Sequence, residues 1–332
     1  MTAALLLEVN DLRLSVRTDE GTAQILDHVA LQLPRGRILG VVGESGCGKS
    51  TLARAVLGVF PRAAKIESGE IRLDGENLLA LSDREMTQRV RGRRIAFIPQ
   101  DPYLALNPVF TIGAQLLPML RWHAPHLDSD AKRRLRLVEL LRRVQMPEPE
   151  AVLDRYPHQF SGGQRQRLMI VGALAAGPAL VIADEPTTAL DVTTQLQILN
   201  LLKSLTQEFG LGMLFVTHDF GVVAQLCDDI TVMYAGQTVE SGPTALVLAD
   251  PRHPYTKALL ACHPDRSGAL EGIPGNVPSP LRPPTGCRFA PRCRDADRTC
   301  AGRAPRLVAL EDGRYLNCRL ADGPTSLTGA RT

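Results

Sequence analysis

The stretch Gly43-Glu-Ser-Gly-Cys-Gly-Lys49-Ser50 carries a phosphate-binding pattern. It matches the pattern G-x-x-x-x-G-K-[S/T], in which glycines let the backbone curl so that its amides point at phosphate oxygens. The apolar strand RILGVVG (37–43) precedes it, and a helical pattern follows from about Ser50 to Gly58. Because strand, loop and helix are all present, we predict a loop that binds a nucleoside triphosphate rather than a plain glycine-rich turn.

The residues of this loop have different expected roles. Lys49 would bring a point charge to the outer phosphates, and the Ser50 hydroxyl can bind magnesium. Cys47 is expected to act as a small spacer, although a thiol here could make the protein sensitive to thiol reagents. The candidate nucleotide ligands are Gly43, Glu44, Ser45, Gly46, Cys47, Gly48, Lys49, Ser50 and Thr51.

Two carboxylates follow a second apolar strand, ALVIADE (179–185). Asp184 and Glu185 would emerge at the carboxyl edge of a parallel sheet, where such sheets bind ligands. Asp184 would hold magnesium through water, and Glu185 would polarise the attacking water as general base. Taken without Lys49, the pair could equally be the acidic start of the next helix.

Two further polar residues stand at predicted strand ends. His218 ends LGMLFVTHD (211–219) and could contact the outermost phosphate. Gln100 ends RIAFIPQ (94–100) and could bind magnesium or the attacking water. Considered singly, either residue could also be an ordinary polar strand end or helix cap.

Strands alternating with helices predict an α/β fold with a parallel sheet covered on both faces. Strands are predicted at 5–16, 29–42, 69–75, 94–100, 179–185 and 211–219, and helices at 50–58, at 111–146, from near Ser161, and up to Phe209. After Gly242 the pattern changes to two short helices within 243–262, and prolines are frequent from Pro264 to Pro291. The chain therefore reads as one large domain followed by a loop-rich appendage.

Composition and apolar segment lengths argue against several classes of protein. A net charge of +3 with 22% charged residues argues mildly against a dedicated nucleic-acid binder. The N-terminal MTAALLLEVND lacks the basic stretch of a signal peptide, and the weakly polar segment 171–183 is too short to span a bilayer. We expect a cytosolic chain whose thiols stay reduced.

The segment YPHQFSGGQRQR (156–167), just upstream of ALVIADEP (179–186), resembles the signature of ABC-type ATPases. The order of the matching elements is that of the family: Gly43–Thr51, Gln100, Ser161–Gln164, Asp184–Glu185, Ala189–Asp191 and His218. The resemblance implies a P-loop NTPase cassette over residues 5–242, with a RecA-like mixed or parallel sheet, an antiparallel β subdomain and a helical signature subdomain at about 101–175.

Family membership further implies that two cassettes sandwich two ATP molecules. The residues expected to contact the ATP of the opposite cassette are those of the signature, Ser161, Gly162, Gly163 and Gln164, and Asp191 is a further expected nucleotide-binding residue. One departure concerns adenine, which the family usually stacks on an aromatic residue upstream of the phosphate loop. No Phe, Tyr or Trp precedes Phe60, and Val16 lies near that position, so we expect weak adenine stacking.

Other strings look like ATPase subunits of oligopeptide and dipeptide importers: QDPYLALNP (100–108), ADEPTTALDVTTQ (183–195) and PRHPYTKALL (251–260). The resemblance implies a subunit on the cytoplasmic face of the bacterial inner membrane that hydrolyses ATP to energise peptide import. Its partners would be two permease subunits, a second identical or related cassette and an extracytoplasmic solute-binding protein, without nucleic acid. A permease helix would enter the groove between Gln100 and segment 104–145.

Alternative functions stay open at this point. The same machine could import nickel or another small solute. In a different class, the chain could be a soluble ABC ATPase acting on ribosomes or DNA, or a regulatory cassette that binds nucleotide without hydrolysis.

Four of the seven cysteines lie near the C-terminus: Cys287, Cys293, Cys300 and Cys318. Structural zinc sites favour closer Cys pairs, and reduced compartments disfavour disulfides. Four thiolates on a loop-rich segment suit an iron–sulfur cluster, although the spacing alone fits four ordinary cysteines equally well. The tail is similar to the C-terminal extension of the same importers (243–332 here), and this favours a structural [4Fe–4S] site. Cys227 and Cys262 are expected to be packing residues.

Overall fold

The computed structural model describes residues 4–188, 190–262 and 272–319. Two β-sheets form its framework: a four-stranded antiparallel sheet and an eight-stranded mixed sheet. The strands are β1 Leu5–Thr18, β2 Gly21–Pro34, β3 Ile38–Val42, β4 Ala64–Leu73, β5 Glu76–Asn77, β6 Ile95–Ile98, β7 Leu180–Asp184, β8 Gly212–Val216, β9 Asp229–Tyr234, β10 Gln237–Pro243, β11 Val308–Ala309 and β12 Tyr315–Leu316.

The large sheet has the order β11-β12-β10-β9-β3-β8-β7-β6. Strands β9, β3, β8, β7 and the edge strand β6 are parallel, and β10, β12 and β11 continue the sheet in antiparallel pairs. Every residue of β3, β7 and β8 is buried, as expected for strands covered on both faces. The phosphate loop and both predicted strand-end carboxylates therefore follow strands that are buried along their whole length.

Helices cover the sheets and fill the connection between β6 and β7. Their bounds are α1 Lys49–Val56, α2 Asp83–Glu85, α3 Pro102–Ala105, α4 Ile112–His123, α5 Asp130–Arg143, α6 Pro149–Val152, α7 Gly162–Leu174, α8 Val192–Phe209, α9 Phe220–Leu226, α10 Thr244–Ala249, α11 Pro254–Ala261 and α12 Arg298–Gly302. Short 3₁₀ turns lie at Leu78–Ala80, Pro157–Gln159 and Ala290–Arg292, and a π-helical turn lies at Met86–Val90. Within the described ranges, no helix has the length and apolar character needed to cross a membrane.

Successive residues of the large sheet face two different cores. Leu180 and Ile182 of β7 pack with the small sheet and α1, whereas Val181 and Ala183 pack with the helices on the opposite face. This is the period-2 alternation of a strand, here apolar on both sides because both faces are covered.

Two predicted elements are divided in the structure. The strand expected at 29–42 is β2 and β3, separated by a turn at Gly36 with φ of 67°. The helix expected at 111–146 is α4 and α5, because Pro125 follows α4 and Ser129 caps α5 through Lys132 N. Strands β5 and β9 to β12 were not predicted from the sequence.

The C-terminal extension is docked on the main sheet. Strand β12 pairs with β10, with Glu240 opposite Leu316 and Ser241 opposite Tyr315, and β11 pairs with β12. Further upstream, Pro280 accepts a hydrogen bond from Gln24 N of the β1–β2 hairpin. Of the predicted 243–332 extension, residues 263–271 and 320–332 lie outside the described ranges, and so does Ala189. The cassette boundary at 242 and the helical subdomain at 101–175 remain predictions.

Candidate functional site

The phosphate loop joins the end of β3 to the start of α1. Gly43 has φ of 156°, and a Cβ there would lie 2.1 Å from Met233 O, so no other residue fits. Gly48 caps α1 with φ of 102°. Between them, Cys47 N donates to Glu44 O at 3.2 Å, which closes the turn. A tight loop therefore leads directly into the N-terminus of a helix, the arrangement that phosphate-binding sites use.

Lys49 lies inside this loop. Its Nζ donates to the main-chain oxygens of Gly43 at 2.7 Å and Glu44 at 3.1 Å, and its side chain is buried. Thr51 follows in the first turn of α1, while Ser45 and Gly46 are exposed at the tip. The ammonium group is thus held where the outer phosphates of a nucleotide would be bound.

Cys47 is almost fully buried, and burial raises the pKa of its thiol. Because the thiolate is the reactive form, this residue is a poor target for thiol reagents in the described conformation. The spacer role remains the better explanation of this cysteine.

Ser50 and Asp184 form the predicted magnesium pair. Ser50 Oγ donates to Asp184 Oδ1 at 3.1 Å, across the space between α1 and the end of β7. Burial raises the pKa of Asp184, and the hydrogen bond from Ser50 opposes that shift. A hydroxyl and a carboxylate oxygen side by side are suitable ligands for Mg²⁺ or its bound water.

Three side chains converge on the carboxylate of Glu185. Gln100 Nε2 and Thr188 Oγ1 lie 3.3 and 3.1 Å from Oε2, and His218 Nδ1 lies 3.2 Å from Oε1. The structure therefore brings together Gln100, Glu185 and His218, which the sequence analysis predicted separately. It adds Thr188, which the sequence analysis missed.

The signature residues form a separate cluster. Ser161 caps α7, with Ser161 Oγ accepting from Gln164 N and Gln164 Oε1 accepting from Ser161 N. A Cβ on Gly162 would lie 3.2 Å from Tyr103 Oη, and one on Gly163 would lie 2.6 Å from Thr194, whose N–H bonds Asp191. In the parts of the chain that the structure describes, no hydrogen bond or ion pair links this cluster to the phosphate loop.

Val16 lies in β1 and packs, half-buried, against the core of the small sheet. An aliphatic side chain offers no π face, so this position does not supply aromatic stacking.

The four C-terminal cysteines lie together. Cys287, Cys293, Cys300 and Cys318 line one cavity of about 40 Å³, which His253 also borders. Burial raises the pKa of the Cys287 and Cys293 thiols. Within 4–188, 190–262 and 272–319, no three His, Cys, Asp or Glu side chains are close enough to hold a single metal ion.

Together these features define an ABC-type ATPase cassette. They are the phosphate loop, the Ser50–Asp184 pair, the glutamate at the end of a strand, and a separate helix that begins at the sequence SGGQ. A family model described as "ABC transporter" matches residues 26–188, and one described as "Oligopeptide/dipeptide transporter, C-terminal region" matches residues 239–300.

Similar proteins agree with this class. A putative peptide import ATP-binding protein of Brucella melitensis is 44% identical over 321 residues, covering 96% of each chain. An oligopeptide transport ATP-binding protein of Bacillus subtilis is 45% identical, covering 94% of this chain and 87% of that one. The dimeric structure of an ATP-binding cassette bound to ADP and Pi has a TM-score of 0.63 at 29% identity, and covers 72% of this chain and 98% of that one. The chain belongs to the oligopeptide/dipeptide group of ABC transporter ATP-binding proteins. It is an ATPase, and its cofactors are ATP and Mg²⁺.

Proposed function

We propose that this ATPase energises the import of di- and oligopeptides across a bacterial inner membrane, from the cytoplasmic face. The observation that carries the proposal is similarity over nearly the whole chain, extension included, to proteins named for peptide import. Substrate contacts belong to other subunits, so the match of the extension is the most specific indication of cargo in this chain.

The site residues have distinct proposed roles in hydrolysis. The loop from Gly43 to Thr51 holds the phosphates, and Ser50 and Asp184 would hold Mg²⁺, which neutralises charge on the phosphate oxygens. Glu185 takes a proton from the attacking water as general base. Gln100, Thr188 and His218 fix the position of its carboxylate, as their contacts with both of its oxygens suggest.

A second cassette, identical or related, is the proposed partner of the signature cluster. Ser161, Gly162, Gly163, Gln164 and Asp191 would face the ATP of that cassette. The separation of this cluster from the phosphate loop in one chain supports a shared site between two chains.

Two permeases are the proposed membrane partners. Large apolar side chains are exposed on the helical segment after Gln100, namely Tyr103, Leu104, Val109, Phe110 and Trp122. Several exposed large apolar side chains along one segment are typical of an interaction site, here proposed for a permease helix. An extracytoplasmic solute-binding protein would deliver the cargo to the assembled complex.

The cysteine cluster is the proposed site of a structural [4Fe–4S] cluster. Such a cluster takes one thiolate at each iron rather than several at one ion, so four thiols around one cavity fit it even without a single-ion site. When bound, it would crosslink segments of residues 272–319, a described range in which the buried apolar side chains are Phe289 and Leu316.

Co-purification and uptake test the function. The chain, extracted in mild detergent from native membranes, should bring two permeases with it, and the complex in vesicles should import labelled tripeptide with ATP. Glu185→Gln should retain ATP binding while hydrolysis falls at least about a hundredfold. The matched control is Glu311→Gln, on the exposed turn between β11 and β12, which should change neither.

Other outcomes would overturn the proposal at different points. Uptake of nickel without uptake of peptide would overturn the cargo. Ribosomal or DNA-repair proteins in place of permeases would overturn the importer. Undiminished hydrolysis in Glu185→Gln would remove Glu185 from the role of base.

Metal analysis tests the cysteine site. Anaerobic purification should give a brown protein with about four iron atoms per chain. Replacement of Cys293 by Ser should remove the colour, whereas Cys262→Ser, outside the cavity, should not. Stoichiometric zinc without iron would overturn the assignment.

A further inference from the structure

Glu44, at the mouth of the phosphate loop, is held by two residues from beyond the predicted cassette. Its main-chain N–H donates to Tyr255 Oη at 2.9 Å. Its carboxylate accepts from Arg292, with Nη1 at 2.7 Å from Oε2 and Nη2 at 3.0 Å from Oε1. Its main-chain oxygen accepts from Lys49 Nζ. The main-chain N–H, the main-chain oxygen and the carboxylate of Glu44 are thus all hydrogen-bonded. The partners of the N–H and of the carboxylate come from the C-terminal part of the chain.

Arg292 is itself held from several sides. Its side chain is only 4% exposed, and it also donates to the main-chain oxygens of Ile273 and Pro274, both at 3.0 Å. The guanidinium lies 5.7 Å from the centre of the Tyr234 ring. A planar fork restrained in this way presents two parallel hydrogen bonds to a carboxylate in one fixed orientation.

Tyr255 is equally restrained. Its ring is fully buried and packs against Tyr234, with centroids 4.5 Å apart, and against Phe289 at 5.3 Å. The phenol therefore has little freedom to turn away from Glu44 N. Phe289 and Arg292 belong to the same short segment between Cys287 and Cys293.

The same segment is also linked to Cys47 of the loop, indirectly, through Ala235 and Gly236. Arg288, also buried, donates to Ala235 O and, at 2.9 Å, to Asp27 Oδ2. The next residue, Gly236, donates its N–H to Cys47 O at 2.9 Å. The segment thereby braces the phosphate loop near its first residues directly and near Cys47 through Gly236.

We propose that Arg292 and Tyr255 are positioning residues for the ATP site, so that the C-terminal extension completes the phosphate loop of its own chain. The inference rests on the proposed role of this loop in binding ATP. Because both residues act on Glu44 rather than on Glu185, their loss should weaken nucleotide binding more than the chemical step. Nothing in the phosphate-loop pattern itself requires such contacts.

Nucleotide affinity of the full chain is the direct test. Arg292→Gln should weaken binding of a fluorescent ATP analogue about tenfold, which corresponds to about 1.4 kcal/mol. In the complex with permeases, KM for ATP should rise while kcat changes by less than about twofold. Arg292→Lys should recover part of the affinity, because it keeps the charge but not the fork.

Arg314→Gln is the matched control. Arg314 lies in the same extension, is 3% exposed, and binds Asp312 and Asp250 O rather than the loop. It should lower thermal stability as much as Arg292→Gln without changing ATP affinity. Equal ATP affinities in the two variants would overturn the inference.

If Arg292→Gln folds poorly, two further experiments test the same inference. Tyr255→Phe removes one hydroxyl from a ring that keeps its packing, and it should also weaken ATP binding. In a double-mutant cycle, Glu44→Gln and Arg292→Gln should be strongly non-additive, because each removes the same ion pair. Additive effects would contradict the mechanism, whereas a wild-type chain that binds no ATP would instead contradict the proposed loop function.

Discussion

Glu185 has a backbone φ of 47°, in the left-handed region that residues other than Gly, Asn and Asp seldom adopt. Strained backbone of this kind persists where the surroundings fix it, and it is frequent at functional sites. Here Glu185 N donates to Val216 O at 2.9 Å, and three side chains hold the carboxylate. The strain and the contacts together aim one carboxylate beside the Ser50–Asp184 pair.

Thr188→Val tests this arrangement at a residue that the sequence did not indicate. The variant loses one hydrogen bond to a charged group, worth about 1.5 kcal/mol or more, so kcat should fall about tenfold. Affinity for ATP should stay unchanged, because Thr188 does not touch the phosphate loop. Steady-state hydrolysis by the complex measures this, and an unchanged kcat would exclude a role for the hydroxyl.

Val16→Tyr tests adenine binding. A ring at this position should stack on the base, and an increment of about 1 kcal/mol would tighten ATP binding about fivefold. Preference for ATP over tripolyphosphate should increase in parallel. Val59→Tyr, at a valine that is 49% exposed elsewhere, is the control. Equal affinities in both variants would show that adenine lies away from Val16.

At the scale of elements, the predictable parts are those with a uniform pattern. The fully buried strands β3, β7 and β8 are short apolar runs, and the signature helix begins at a Ser-x-x-Gln capping box. Both kinds of pattern can be recognised in the sequence. Strand β10 cannot be recognised in this way, because three of its four buried positions carry polar or charged side chains, Gln237, Thr238 and Glu240. Strands β11 and β12 have two residues each, too few for any periodicity.

The contacts between the extension and the phosphate loop could not be predicted from the sequence either. Arg292 and Glu44 are 248 residues apart, and nothing in the sequence around either residue indicates that the two form an ion pair. The cassette motifs and the group of four cysteines could be placed from sequence, because each is defined by residue types at a characteristic spacing or strand end. Long-range ion pairs depend on how the elements pack, which the local pattern does not encode.

Glu240 tests how the extension is attached. Its side chain is fully buried, and its carboxylate accepts from Arg252 N at 2.8 Å and His253 N at 3.0 Å at the entry to α11. Glu240→Gln places an amide donor against one of these N–H groups, so the free energy of unfolding should fall by about 2 kcal/mol. Denaturant unfolding measures the change. Glu311→Gln is the exposed control, and equal stabilities would contradict the structural role of Glu240.

At the scale of the whole molecule, two regions within the described residues are proposed to contact partners. One is the segment after Gln100 that carries the exposed apolar side chains, and the other is the signature cluster around the start of α7. Neither region contacts Arg292 or Tyr255 in the described parts of the chain. Assembly with partners and positioning of the phosphate loop should therefore be separable by substitution.

Leu104→Asp tests that separation. Leu104 is 86% exposed, and a charge there should prevent co-purification of the permeases because apolar contact is lost and the carboxylate would be buried unpaired. Binding of an ATP analogue by the isolated chain should be unchanged. Leu246→Asp, at an exposed leucine on α10, should leave the complex intact. Normal recovery of permeases with Leu104→Asp would contradict the proposed interface.

The ion pair between Glu44 and Arg292 also has a consequence for synthesis. A ribosome that has made Glu44 must add 248 more residues before Arg292 exists. At about 5–20 residues per second this takes roughly 12–50 s, during which the nascent chain carries an unbraced phosphate loop. Chains released early, without the extension, would thus hold ATP weakly, and a truncated copy would compete poorly with the complete protein for a place in the transporter.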